Sequence, residues 1–163
     1  MINPSLLKQG MEAAFEAASM SNCQRRKVGA CGIIVKDDGI ALAIHISTNH
    51  CISPEHCIRT NIKSGTSTDV CLGVHAEQDL IVSGFFSQYR SGHFKNDVYP
   101  STSTDKRYVF LTNKPCITCL KLLVNSGVNE IYYADDYNDP IVDEYLKYAD
   151  IQLIQVNNGY SRN

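Results

Sequence analysis

Tyr108-Val109-Phe110-Leu111-Thr112, followed by Asn113-Lys114-Pro115-Cys116-Ile117-Thr118-Cys119, reads as a buried strand running directly into the start of a helix. Aromatic and β-branched residues favour the strand, and a proline is tolerated at a helix entry but not inside one. Downstream the alternation continues: helix 116–125 closing at Gly127, strand 130–134, helix 141–148 and strand 151–156. Strands separated by helices pair in parallel, because the crossover returns each strand in the same direction. Upstream, residues 28–35 form a strand, Asp37-Asp38-Gly39 a turn and residues 40–46 an antiparallel return. Asn3-Pro4 supplies a cap and a first-turn proline, and Leu7, Met11, Ala14, Phe15 and Ala18 recur at helical spacing over 4–20. A further helix spans 76–85. The expected architecture is α/β, a five-stranded mixed sheet with helices on both faces.

Residues 1–163 contain no repeat, linker or low-complexity tract, so a single domain is expected. Two stretches resist the pattern: a polar one over 47–73 and an irregular one reaching Asp105. A connection as long as the first is usually functional or pinned by something. There is no apolar run of about 18 residues, which argues against a membrane-spanning helix. Glu12 and Glu16 interrupt any leader pattern near the start, so no export signal is expected and the location reads as cytoplasmic. The net charge of −2 disfavours a protein living on bulk attraction to nucleic acid. Seven cysteines, an odd number without a leader, point to reduced thiols and so to metal binding or catalysis.

His75-Ala76-Glu77 and Pro115-Cys116-Ile117-Thr118-Cys119 each open a helix. Cys116 and Cys119 fall three apart, on one helical face, where free backbone amides favour the thiolate. A lone C-x-x-C also suits a redox pair. With His75, however, it makes a three-ligand zinc site whose fourth position is left for water, bringing that water's ionisation near neutral pH. Glu77, two residues from the histidine, stands beside the metal without having to bind it. H-x-E followed by P-C-x-x-C is the signature of the zinc nucleobase deaminases.

On these residues the chain resembles the cytidine deaminase superfamily, and within it the deoxycytidylate (dCMP) deaminases. Cys23-Gln24-Arg25-Arg26-Lys27-Val28-Gly29-Ala30 resembles their entry into the first strand. Val74-His75-Ala76-Glu77-Gln78 and Asn113–Cys119 resemble their two ligand segments, and Tyr133-Ala134-Asp135-Asp136-Tyr137-Asn138-Asp139 the segment after the fourth strand. The resemblance implies a three-layer α/β/α fold with strand order 2-1-3-4-5 and an oligomer, commonly a hexamer. It also implies hydrolysis of dCMP to dUMP and ammonia, with zinc held by His75, Cys116 and Cys119. Glu77 would move the proton from water to N3 and then to the leaving amine. Asn49 matches an asparagine that contacts substrate, and Ala76 and Tyr137 match residues beside the pocket. Arg26, in the Arg25-Arg26-Lys27 cluster, is the candidate for the phosphate, with a solvated charge cluster as the alternative.

Some members hold a second, structural zinc, and Cys23, Cys57 and Cys71 match its ligand positions, with His56 or His50 to complete the set. Cys31, inside an apolar strand, reads as a small buried hydrophobe. The family's G-Y-N-G-x-P-x-G segment appears only as Ser47-Thr48-Asn49-His50-Cys51, so control by dCTP and dTTP does not carry over. Deamination of a nucleoside, a free base or a tRNA adenosine, and a zinc module without activity, remain the alternatives.

Overall fold

A computed structural model describes residues 2–39, 41–62, 70–83, 105–136 and 139–156. Helix α1 (Pro4–Ser19) starts as expected: the Asn3 side chain accepts from the Ser5 amide at 2.8 Å, and Pro4 needs no amide there. Strand β1 (Gly29–Val35) is buried along its whole length. It pairs antiparallel on one side with β2 (Ala41–Thr48), across a turn in which Gly39 takes a φ of 83°. On the other side it pairs antiparallel with β5 (Lys106–Asn113). Strands β6 (Glu130–Asp135) and β7 (Gln152–Gln155) then add in parallel. The order β2-β1-β5-β6-β7, counted over these five strands alone, is the expected 2-1-3-4-5.

The period of two along each strand sorts the core into two layers. Ala30, Val109, Leu111, Ile131 and Tyr133 face one way. There they meet Leu80 of α2 (Ala76–Val82), Leu120 and Leu123 of α3 (Ile117–Asn125) and Val142 of α4 (Pro140–Leu146). Cys31, Ile33, Val35, Tyr108 and Phe110 face the other way, onto Met11 and Ala14 of α1. Burial pushes the Cys31 thiol up to about 12, which makes it the inert core residue the sequence suggests. Gly127, with φ 77°, ends α3 in a Schellman turn, its amide bonding the Val124 carbonyl and the Val128 amide the Leu123 carbonyl. No helix among the described residues is long and apolar enough to cross a membrane.

Two expectations change. The polar 47–73 stretch is not simply a loop: β2 runs on to Thr48, and β3 (His50–Cys51) pairs antiparallel with β4 (Gly73–Val74). Backbone hydrogen bonds therefore fasten the two ends of the excursion, which also contains a 3₁₀ turn at Pro54–His56. The helix expected over 76–85 has its last turn at Val82 with Ser83 as its cap. Residues 84 and 85, and the irregular stretch as far as 104, lie outside the described residues.

Helix α1 approaches β1 so closely that only glycine fits at position 29. A Cβ there would stand 1.9 Å from the Ala14 carbonyl oxygen and 2.5 Å from the Ala18 amide nitrogen, both backbone atoms that cannot rotate away. Gly29→Ala is expected to lower stability by about 1–3 kcal/mol, the usual cost of overpacking. Urea denaturation followed by circular dichroism checks it; an unchanged midpoint would contradict this packing.

Candidate active site

The register of β1 sets the place of the site. Gly29 stands opposite Thr48 and Ala30 opposite Leu111, so the start of β1 and the ends of β2 and β5 lie at one end of the sheet. From that end β5 leads through Lys114-Pro115 into α3, whose N-cap is Cys116. Facing it, the Ser47 hydroxyl of β2 donates to the Ala76 carbonyl at 2.8 Å and holds the first turn of α2, whose N-cap is His75. The His75 amide donates to the Gln78 side chain at 2.9 Å, which sets the entry to that helix. The two helix starts meet: His75 Nδ1 lies 3.3 Å from Cys119 Sγ and 3.7 Å from Cys116 Sγ.

These three donor atoms lie within 4.8 Å of one another, the one cluster of three such side chains among the described residues. One imidazole and two thiols suit zinc, and three protein ligands leave a tetrahedral position open. The deciding comparison agrees. A model of the cytidine and deoxycytidylate deaminase zinc-binding region matches residues 4–135. The chain belongs to this family.

Individual proteins extend the comparison. The chain is 28% identical over 150 residues to ComE operon protein 2 of Bacillus subtilis, covering 85% of this chain and 65% of that one. It is 27% identical over 164 residues to the deoxycytidylate deaminase of Saccharomyces cerevisiae, covering 95% of this chain and 46% of that one. It thus spans about two-thirds of the first relative's length and about half of the second's. Its fold is similar to that of the dCMP deaminase of cyanophage S-TIM5 in complex with dCMP and dUMP, with a TM-score of 0.63 and 24% identity over 96% of this chain and all of that one.

Charges in this site are strongly redistributed. A hydrogen bond from Cys119, and the nearby His75, hold the Cys116 thiol down at about 4. Its bond to Cys116 raises His75 to about 9, against the opposing effect of burial. Cys119 is pushed far up by its bond to Cys116 and by burial. Glu77 is only 4% exposed, and that burial raises its carboxyl above the ordinary range. A buried carboxyl with a raised pKa is suited to moving protons near neutral pH.

The centre sits in a cavity of about 890 Å³. Arg26, Asn49 and Ala76, all expected near substrate, line it; Tyr137 lies outside the described residues. Asn49 is already engaged. Its side-chain oxygen accepts from the Val28 amide at 2.7 Å and the Ser21 hydroxyl at 2.7 Å, and its amide group donates to the Arg26 carbonyl at 2.8 Å. It therefore clamps the loop that carries Arg26 against the end of β2. Arg25 is also committed, its guanidinium donating to the Ile62 carbonyl. Arg59, which no motif of the sequence marks, lines the cavity at 6% exposure beside Cys71. An arginine in a Cys-, Ser- and Thr-rich stretch carries no periodicity to betray its burial.

The second zinc set is not assembled. Cys23, Cys57 and Cys71 all line the cavity, but with His56 or His50 they form no cluster of three within 4.8 Å. The His56 ring lies in the exposed 3₁₀ turn, 3.0 Å from the Ser53 hydroxyl and 3.2 Å from Glu55. The Arg59 guanidinium hydrogen-bonds Cys71 and places a positive charge against that sulfur. The paired strands β3 and β4 fasten the two ends of the excursion.

The site's proton inventory has a measurable consequence. With Cys116 lowered and His75 and Cys119 raised, the zinc-free set is expected to hold two of its three protons at pH 7. Zinc requires a neutral imidazole and two thiolates, so loading at pH 7 should release about two protons per ion. Apparent zinc affinity should accordingly rise as pH climbs toward 9 and His75 gives up its proton. Calorimetric titration in buffers of different ionisation enthalpy measures the release; a value near zero would refute this charge distribution.

Proposed function

We propose that the protein hydrolyses dCMP to dUMP and ammonia. The observation that carries this reading is a buried Glu77 beside the His75–Cys116–Cys119 cluster, at the floor of a cavity whose wall carries Arg26 and Arg59. Zinc held by the three ligands supplies Lewis acidity at neutral pH. Glu77 accepts the proton of the attacking water and delivers it to N3 as the new C4–O bond forms. Glu77 then takes the proton of the new C4 hydroxyl and passes it to the C4 amino group; the C4–N bond breaks, ammonia leaves and the C4=O of the uracil ring forms. Burial helps Glu77 as proton acceptor, because it disfavours the charged carboxylate and so promotes uptake of the proton.

A nucleotide differs from a nucleoside by its phosphate, and guanidinium groups match phosphate with paired hydrogen bonds. Arg26, on the loop clamped by Asn49, is proposed to take it, with Arg59 in the same wall. The dCMP and dUMP seen in the cyanophage relative support the substrate. All seven cysteines are free, which suits a reducing compartment, and we place the protein in the cytoplasm as a homo-oligomer, with a hexamer as the form to test.

Ammonia release from dCMP, deoxycytidine, cytosine and a tRNA anticodon stem tests the substrate. Release from dCMP is expected, and release only from the anticodon stem would overturn the assignment. Glu77→Gln should retain one zinc per chain while turnover falls by about 10²–10⁴-fold, the usual contribution of a positioned proton carrier. Arg26→Gln should raise KM for dCMP by about 10-fold or more, on the strength of a charge-assisted bond, and leave deoxycytidine kinetics unchanged. Equal effects on both substrates would remove Arg26 from the phosphate.

A further inference from the structure

The segment around Cys116 is gripped on both flanks by the end of β6 and the chain that follows it. Before the cysteine, the Lys114 amide donates to the Asp135 carbonyl at 2.9 Å. The Lys114 ammonium, only 10% exposed, lies 2.9 Å from Asp143 and 3.8 Å from Asp136. Just after it, the Ile117 amide donates to Asp139 Oδ2 at 3.1 Å. The other oxygen of that carboxylate, Oδ1, accepts from the Ile141 amide at 3.3 Å and caps α4. Asp139 thus serves two helix starts at once, one oxygen to each, and its charge lies at the positive end of α3.

We propose that Asp139 is a positioning residue for the metal, a bridge that docks α4 onto the first turn of α3 and fixes Cys116 where the ligand set needs it. The proposal rests on reading His75, Cys116 and Cys119 as the zinc ligands. Cys116 is the N-cap of α3: its carbonyl accepts the Leu120 amide at 2.9 Å, but its non-helical φ and ψ and its own amide lie outside the helix. The path of the chain through the cysteine therefore depends also on what grips residues 114 and 117. By taking the Ile117 amide, Asp139 sets the direction in which the chain leaves the cysteine. Partners one step beyond a metal's ligands orient those ligands and tune how tightly the ion is held.

Asp139→Asn separates bridging from capping. Asparagine caps a helix about as well as aspartate, but its side chain has one acceptor oxygen and can serve one helix start, not both. Asp139→Ala removes both bonds. Zinc-loaded parent and variants are mixed with a chromophoric chelator and the rate of zinc transfer is followed. In parallel, the melting temperature of each zinc-free protein is measured by circular dichroism. Zinc release about 10-fold faster from both variants, with zinc-free D139N melting within a few degrees of the parent, is the expected result. Parent-like release from D139N and D139A would overturn the proposal, and so would faster release accompanied by loss of the zinc-free D139N fold. A parent that takes up no zinc would overturn the functional reading as well.

Discussion

Strand β1 has no exposed residue and is hydrogen-bonded along both edges, to β2 and to β5. That double pairing is the constraint on which the remainder depends. Once β1 is registered against both neighbours, the end of β2, with Ser47, and the end of β5, with Asn113, must lie at the same end of the sheet. Ser47 then holds the start of α2, and the chain leaving Asn113 turns into α3. The histidine at one helix start and the cysteines at the other are 41 and 44 residues apart in sequence, but only ångströms apart in space. A one-residue slip of β1 would turn every core side chain to the wrong face and dissolve the site with it.

The site's charges follow from burial. Two thiols and an imidazole packed together without a metal settle by shifting protons, so Cys116 goes down while His75 and Cys119 go up. A divalent cation relieves that arrangement by allowing both thiols to ionise, which is why the donor set suits zinc. Glu77 behaves differently because it sits inside the protein rather than in the ligand triangle, and its carboxyl rises through loss of water. Two negative ligands and one proton carrier are thereby kept distinct within a single cavity.

Local patterns carried far into the fold. The Asn3-Pro4 cap, the turn at Gly39, the helix end at Gly127 and the strands around residues 30, 109 and 131 depend largely on neighbours in sequence, and the structure has each of them. The 47–73 excursion was illegible for the opposite reason. β3 and β4 are two residues each and pair across 24 positions from His50 to Val74, so no window of sequence contains both. The resemblance implies Asn49 as a substrate contact; in the structure it lines the cavity and also ties Ser21, Arg26 and Val28 together, partners 21 to 28 residues away. The resemblance implies a second metal at Cys23, Cys57 and Cys71, and in the structure Cys71 has Arg59 beside it.

What the sequence determined by itself was the identity of the elements and the chemistry of the ligands. Strand and helix periods, caps and the H-A-E and P-C-x-x-C motifs are short-range codes, written in the spacing of side chains along one element. Only the tertiary structure decided which residues share the cavity and what each is free to do. Arg59 enters the wall, Arg25 is bound to a carbonyl, and Asp139 reaches from one helix start to another. Those outcomes depend on long-range pairing and on which hydrogen-bonding groups meet after burial, and a linear pattern does not encode either.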